Sequence, residues 1–157
     1  MHSRLSDFID AENILYDLQN GFRKKYSTNH AILIIIEGIK ENLDKGQFSC
    51  GVFVDLEKAF DTVNHKILLK KLDCYGIRNT ANDWLRSYLS SRKQLVSVEG
   101  KNSKLLDVTC GVPQGSILGP LNFIIYINDM RFAINHSTVH HFADDTNLLH
   151  TNKCLKP

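Results

Sequence analysis

The sequence lacks the markers of several large protein classes. Its four cysteines, Cys50, Cys74, Cys110 and Cys154, are scattered, with no C-x-x-C pair and no metal-ligand spacing. That argues against a disulfide framework or a zinc module, and reduced, partly buried thiols are expected. The longest strictly apolar run, Ala31 to Ile36, is too short to span a bilayer, and the polar N-terminus does not resemble a signal peptide. Charge is nearly balanced at +2, compatible with a nucleic-acid partner without requiring one. Neither the G-x-G-x-x-G dinucleotide loop nor the G-x-x-x-x-G-K-[ST] phosphate loop occurs.

What is present is a chain of 157 residues, 43% hydrophobic and 23% charged, enough for one domain with a core and too short for two of ordinary size. The stretch that draws attention is Phe142-Ala143-Asp144-Asp145, two adjacent carboxylates between the apolar stretches Val139–Ala143 and Leu148-Leu149. Asp is common in turns for its local hydrogen bonds, so an ordinary hairpin turn is the bland reading. The chemical reading is a pair of divalent cations: hard carboxylate oxygens suit Mg²⁺, and two such ions about 3.5 to 4 Å apart drive phosphoryl transfer.

Read in order, Leu5, Phe8, Ile9, Ile14, Leu15 and Leu18 recur at helical spacing and predict one or two helices, broken at Gln19-Asn20-Gly21-Phe22-Arg23. Ser27 or Thr28 caps a helix to about Asp44, with Ala31, Ile35, Ile39 and Leu43 on its inner face. Cys50 to Leu56 reads as a strand buried on both faces that delivers Asp55 to a cleft. A buried carboxylate there is costly unless paired or metal-bound. Asp61 or Asn64 caps a helix over 66–72, Gly76 ends it, and Asn79 or Thr80 opens another through Trp84 and Leu89. Two strands, 94–98 and 104–109, precede Gly111 to Pro120, whose glycines suggest close backbone approach to a ligand, and a helix from Leu121 to Ala133. The order predicts an α+β fold with a split β-α-β-β-α-β sheet, in which the strand of Asp55 lies beside the first strand of the last hairpin. Asp55, Asp144 and Asp145 then meet at one sheet end.

These stretches together resemble a reverse transcriptase of the non-LTR (LINE-type, jockey/CR1-like) retrotransposons. Val54 to Asp61 is similar to that family's first palm motif, Gly111 to Pro120 to its second and Phe142 to Asp145 to its third, while Gln19 to Arg23 with Ser27-Thr28 is similar to its fingers motif. The resemblance covers nearly the whole chain. It implies an RNA-directed DNA polymerase with a ferredoxin-like palm, an antiparallel sheet with helices on one face, and partial helical fingers. The expected division is a single domain, with about 1–49 as partial fingers and 50–157 mostly palm.

By the same resemblance, Asp55, Asp144 and Asp145 hold two Mg²⁺ ions, with Mn²⁺ as a substitute, and the carbonyl of Leu56 joins them. Phe60 becomes the steric gate against a ribose 2′-hydroxyl, Gln114 and Gly115 shape the nucleotide and template pocket, and Arg23 binds the triphosphate. Expected partners are an RNA template, a DNA primer, their hybrid and dNTPs, in an intracellular setting, nuclear or cytoplasmic, without a membrane. The family's thumb, later palm elements, earliest fingers motif and endonuclease have no counterpart here, so a fragment is expected. The competing expectation is a catalytically silent remnant or nucleic-acid-binding fragment. His140 and His141 alternate across a strand and are left out of the site, as is Asp129.

Overall fold

The structure, a computed structural model, describes residues 1–153, so Cys154 lies outside the described residues. They fall into two compact units, one formed by Met1–Glu57 with the segment from Ile127 onward, the other by Lys58–Tyr126.

In the first unit the N-terminal periodicity yields a single helix, α1 (His2–Ala11), with Leu5 and Ile9 buried. Its expected continuation to Leu18 is irregular backbone, because Asn128 takes over the main chain there. The Asn128 side chain accepts from the Tyr16 amide at 2.7 Å and donates to the Ile14 carbonyl at 2.8 Å. Helix α2 (Thr28–Asp44) starts as expected, with Ser27 Oγ accepting from the His30 amide. Its inner face is shifted from the expected one: Leu43 is 61% exposed, and Ile34, Gly38 and Asn42 share the half-buried side with Ala31, Ile35 and Ile39. Gly38 faces Leu149, and Asn42 donates to Ser49 Oγ, which sets that phase.

The sheet of this unit has three antiparallel strands in the order β1 (Phe48–Val54), β7 (Asp145–Asn152), β6 (Thr138–Phe142). The expected adjacency of β1 and β6 is therefore corrected: β7 lies between them. A two-residue turn returns β7 along β6, and β7 retains a free edge on which β1 pairs. The expectation that β1 is buried on both faces is also overturned. All of β1 except Ser49 is exposed, because it is an edge strand and α2 covers it only in part.

In the second unit, Asn64 rather than Asp61 caps α3 (His65–Cys74), its Oδ1 accepting from the amides of Lys66 and Ile67. Helix α4 (Asn79–Leu89) follows, and Asn82, buried between them, donates to the carbonyls of Leu69 and Ile77. Leu68, Leu72, Leu85, Leu89, Ile124 and Ile125 are fully buried. The expected strands 94–98 and 104–109 are broken into two short ladders. β2 (Lys93–Gln94) pairs with β5 (Leu106–Asp107), and β3 (Ser97–Val98) pairs with β4 (Lys101–Asn102). Ser103 causes the break by bonding Val96 through both its hydroxyl and its amide. Glu99 and Gly100, both at positive φ, form the tight turn. Helix α5 (Gly119–Ile127) is apolar around most of its circumference and correspondingly buried, with Asn122 buried among the apolar side chains. It stops short of Ala133, and Met130–Ala133 forms a separate 3-10 turn.

Cys50, Cys74 and Cys110 are free but exposed, not partly buried as expected. Among the described residues no helix is long and apolar enough to cross a membrane.

Candidate active site

Strand pairing brings the first and third acidic stretches together. Val54 of β1 is opposite Thr146 of β7, so the next position on each strand holds Asp55 and Asp145. Asp145 in turn is opposite Phe142, the last residue of β6. Asp55, Asp145 and Phe142 line a cleft of about 390 Å³ with Phe53, Asn147 and residues of α2. Asp144 occupies the turn itself and is half-buried, and it is not part of that lining. The structure thus joins two of the three expected carboxylates at one cleft and keeps the third at the hairpin tip.

The turn is held from the N-terminal side. Residues 18–20 run along the outer edge of β6, where the Asn20 amide donates to the His141 carbonyl and the His141 amide to the Leu18 carbonyl, each at 2.9 Å. Buried Gln19 reaches the turn with its side chain. Its Oε1 accepts from the amides of Gly21 at 2.8 Å and Ala143 at 3.1 Å, and its Nε2 faces the Ala143 carbonyl at 3.5 Å. Ala143 stands at φ 57°, a left-handed conformation costly for a residue with a Cβ, and these bonds stabilise it. Gly21 passes so close that a Cβ would collide with the main chain of Ala143 and Phe142. Neither Gln19 nor Gly21 was singled out as a supporting residue in the sequence. The local signals were the turn they form and the likeness of Gln19 to Arg23 to the fingers motif, neither of which says what the segment touches.

His140 and His141 are both buried. Burial holds both imidazoles below their ordinary range, and His141, further disfavoured by His140, falls to about 4. His141 Nδ1 lies 3.1 Å from Thr146 Oγ1. These neutral rings are packing groups of the hairpin. Arg23 is half-buried, and its guanidinium donates to the carbonyls of Tyr16 and Gln19 and lies 4.5 Å from the Tyr26 ring centroid.

In the second unit the ring of Phe60 stacks on Phe123 of α5, with centroids 4.4 Å apart. The glycine loop docks on the turn that follows Phe60. The amides of Gly111 and Val112 donate to the carbonyls of Val63 and Phe60, both at 2.8 Å, and His65 Nε2 lies 2.7 Å from the Gly111 carbonyl. Gly111, at φ 87°, abuts Asp61, whose carbonyl would lie 2.8 Å from an added Cβ. The close approach inferred from glycine is here an approach to the chain itself. Gln114 and Gly115 are exposed, with open space beside Gly115.

Among the described residues no group of three or more His, Cys, Asp or Glu is arranged to hold a metal ion. The donor set still fits a hard cation. Asp55 and Asp145 are exposed carboxylates on one cleft, and Mg²⁺ characteristically takes one or two protein carboxylates plus waters and substrate phosphates.

An antiparallel hairpin bearing paired acids, beside a strand that ends in another, is the layout of a polymerase palm. The family model described as reverse transcriptase (RNA-dependent DNA polymerase) matches residues 1–155, and the chain belongs to that family. Members generally use divalent metal. Among curated relatives, the chain is similar to the probable RNA-directed DNA polymerase from transposon BS of Drosophila melanogaster, 31% identical over 97% of this chain. It is also similar to the corresponding polymerases of the mobile element jockey, at 28% over 98%, and of transposon X-element, at 30% over 96%, both from the same species. The chain spans 17% of the length of each.

Proposed function

We propose that this chain carries the catalytic centre of a retrotransposon RNA-directed DNA polymerase, which transfers nucleotides from dNTPs to a primer 3′-hydroxyl on an RNA template. The observation that carries the proposal is the strand register that sets Asp55 beside Asp145. In this reading Asp55 and Asp145 hold divalent cations, Mg²⁺ or in its place Mn²⁺, with Asp144 and the carbonyl of Leu56 completing the set. Bound there, two such ions supply activation of the attacking hydroxyl and charge neutralisation on the leaving pyrophosphate.

The chain's own residues supply position. Phe60, held flat against Phe123, excludes a 2′-hydroxyl from below the sugar. Gln114 and Gly115 present the second motif's exposed surface to nucleotide and template. Arg23 binds triphosphate once its guanidinium leaves the carbonyls of Tyr16 and Gln19. The chemistry takes place on nucleic acid inside the cell, in the nucleus or cytoplasm.

One observation favours a second reading. Arg23 is engaged by the carbonyls of Tyr16 and Gln19, as in a silent fragment that only binds nucleic acid. Primer extension on a primed RNA template, with Mg²⁺ and Mn²⁺ in turn, separates the two. The polymerase reading expects extension by the chain and its loss in Asp145→Asn. Salt-dependent binding of RNA–DNA hybrid with no incorporation overturns it in favour of the silent binder.

A further inference from the structure

Asp61 carries no role in the chemistry above, and in the sequence it reads as a helix cap. The structure gives the cap to Asn64 and leaves the Asp61 carboxylate for another partner. Gln114 Nε2 donates to Asp61 Oδ1 at 2.9 Å, across 53 positions of sequence. An ionised carboxylate only accepts, so it fixes which end of the Gln114 amide faces it: the nitrogen. Gln114 Oε1 and its second N–H are then turned away from Asp61 and remain free for a ligand.

The carboxylate is itself well placed to set a direction. The Asp61 amide donates to the Lys58 carbonyl at 2.9 Å, which fixes the turn. The Gly111 backbone lies against Asp61, and the flanking amides of Gly111 and Val112 lock the loop to residues 60 and 63. Asp61 and Gln114 also line one cavity of about 610 Å³, together with Arg92, Lys93 and the start of the glycine loop. Lys93 is engaged by Asp107, leaving Asp61 to Gln114.

We propose that Asp61 is a positioning residue that orients the Gln114 carboxamide toward the incoming nucleotide. The proposal rests on the polymerase reading and adds to it the group that sets the second motif's polar contact. Both side chains are exposed in the free chain, so water competes for the bond and its worth to stability is small. A nucleotide seated against Gln114 excludes that water. The bond therefore acts on nucleotide KM more than on folding, which separates it from a merely structural contact.

The test is steady-state primer extension by the full chain and by Asp61→Ala, Asp61→Asn, Gln114→Ala and the double alanine variant, each checked by thermal unfolding. Asp61→Ala is expected to raise KM for dNTP about fivefold, with kcat within about twofold and Tm nearly unchanged, in line with the modest net worth of a solvent-exposed hydrogen bond. Asp61→Asn, whose carboxamide can donate as well as accept and so no longer dictates which end of Gln114 faces it, should recover only part of that loss, and the double variant should be no worse than Gln114→Ala. Multiplying effects in the double variant, or a lower Tm in Asp61→Ala with unchanged KM, overturns the positioning role while leaving the polymerase reading intact. No extension by the unaltered chain overturns both.

Discussion

The two outer strands of the three-stranded sheet make an instructive pair. β1, Phe48–Val54, is almost entirely apolar by composition and almost entirely exposed. β6 carries His140 and His141 in its five residues, yet Val139 and both histidines are buried. Composition alone ranks them the other way round. What separates them is their neighbours. Residues 18–20 cover the outer edge of β6 and Gln19 closes over its turn, whereas among the described residues β1 pairs on one edge only, with β7. Burial is a property of what an element meets, and the hydrophobic pattern states only what it could tolerate.

The covering of β6 is where the largest effect is expected. Gly21→Ala places a methyl group in the main chain of Ala143 and Phe142, which cannot move without shifting the acidic turn. A loss of about 4 kcal/mol is expected in urea unfolding, at the upper end for a single substitution, together with loss of primer extension. A fully active and stable Gly21→Ala protein would show that the N-terminal segment does not brace the hairpin.

The histidines of β6 make the same flank sensitive to acid. The unfolded His141 imidazole has its ordinary pKa of 6.5 and the folded one about 4, so between these values the unfolded chain binds more protons. The contribution is intact above about pH 6.5 and is lost as pH falls toward 4, by at most about 3 kcal/mol at 1.36 kcal/mol per unit. Urea unfolding at pH 7 and pH 4.5 should show this loss, and His141→Gln should flatten the difference between the two. An equal pH dependence in the variant would place the acid sensitivity elsewhere.

The smallest effect belongs to the open flank. Phe53 is 75% exposed, and Phe53→Thr should change stability by no more than about 0.5 kcal/mol. Val139 is 1% exposed, and Val139→Thr, which buries a hydroxyl, should cost about 2 kcal/mol. Thermal unfolding of both variants measures the contrast between the strands directly. Equal costs would mean that β1 is covered in solution.

Much of the local structure was legible in the residues. Ser27 and Asn64 start helices where their side chains can accept from the first free amides. That Asp55 comes near Asp145 was expected from the order of strands and helices, though by way of the hairpin's first strand rather than its second. The strand adjacency was not, because choosing between the two strands of one hairpin depends on which edge is free. The helix expected to run from Leu121 to Ala133 ends at Ile127, and Asn128 just beyond turns its amide to residues 14 and 16, a partner more than a hundred positions away.

By itself the sequence determined the chemistry this chain can offer: hard oxygen donors on two stretches, a glycine loop, and motifs that mark the family. These are set by residue type and spacing, which act over a turn or a strand. Only the tertiary structure decided that Asp55 and Asp145 share a cleft while Asp144 stays at the turn, that Gln19 and Gly21 hold that turn, and that Asp61 faces Gln114. Each of those is a contact between distant positions, and such a contact is fixed by packing and by the need to satisfy buried polar groups, neither of which any short stretch of sequence contains.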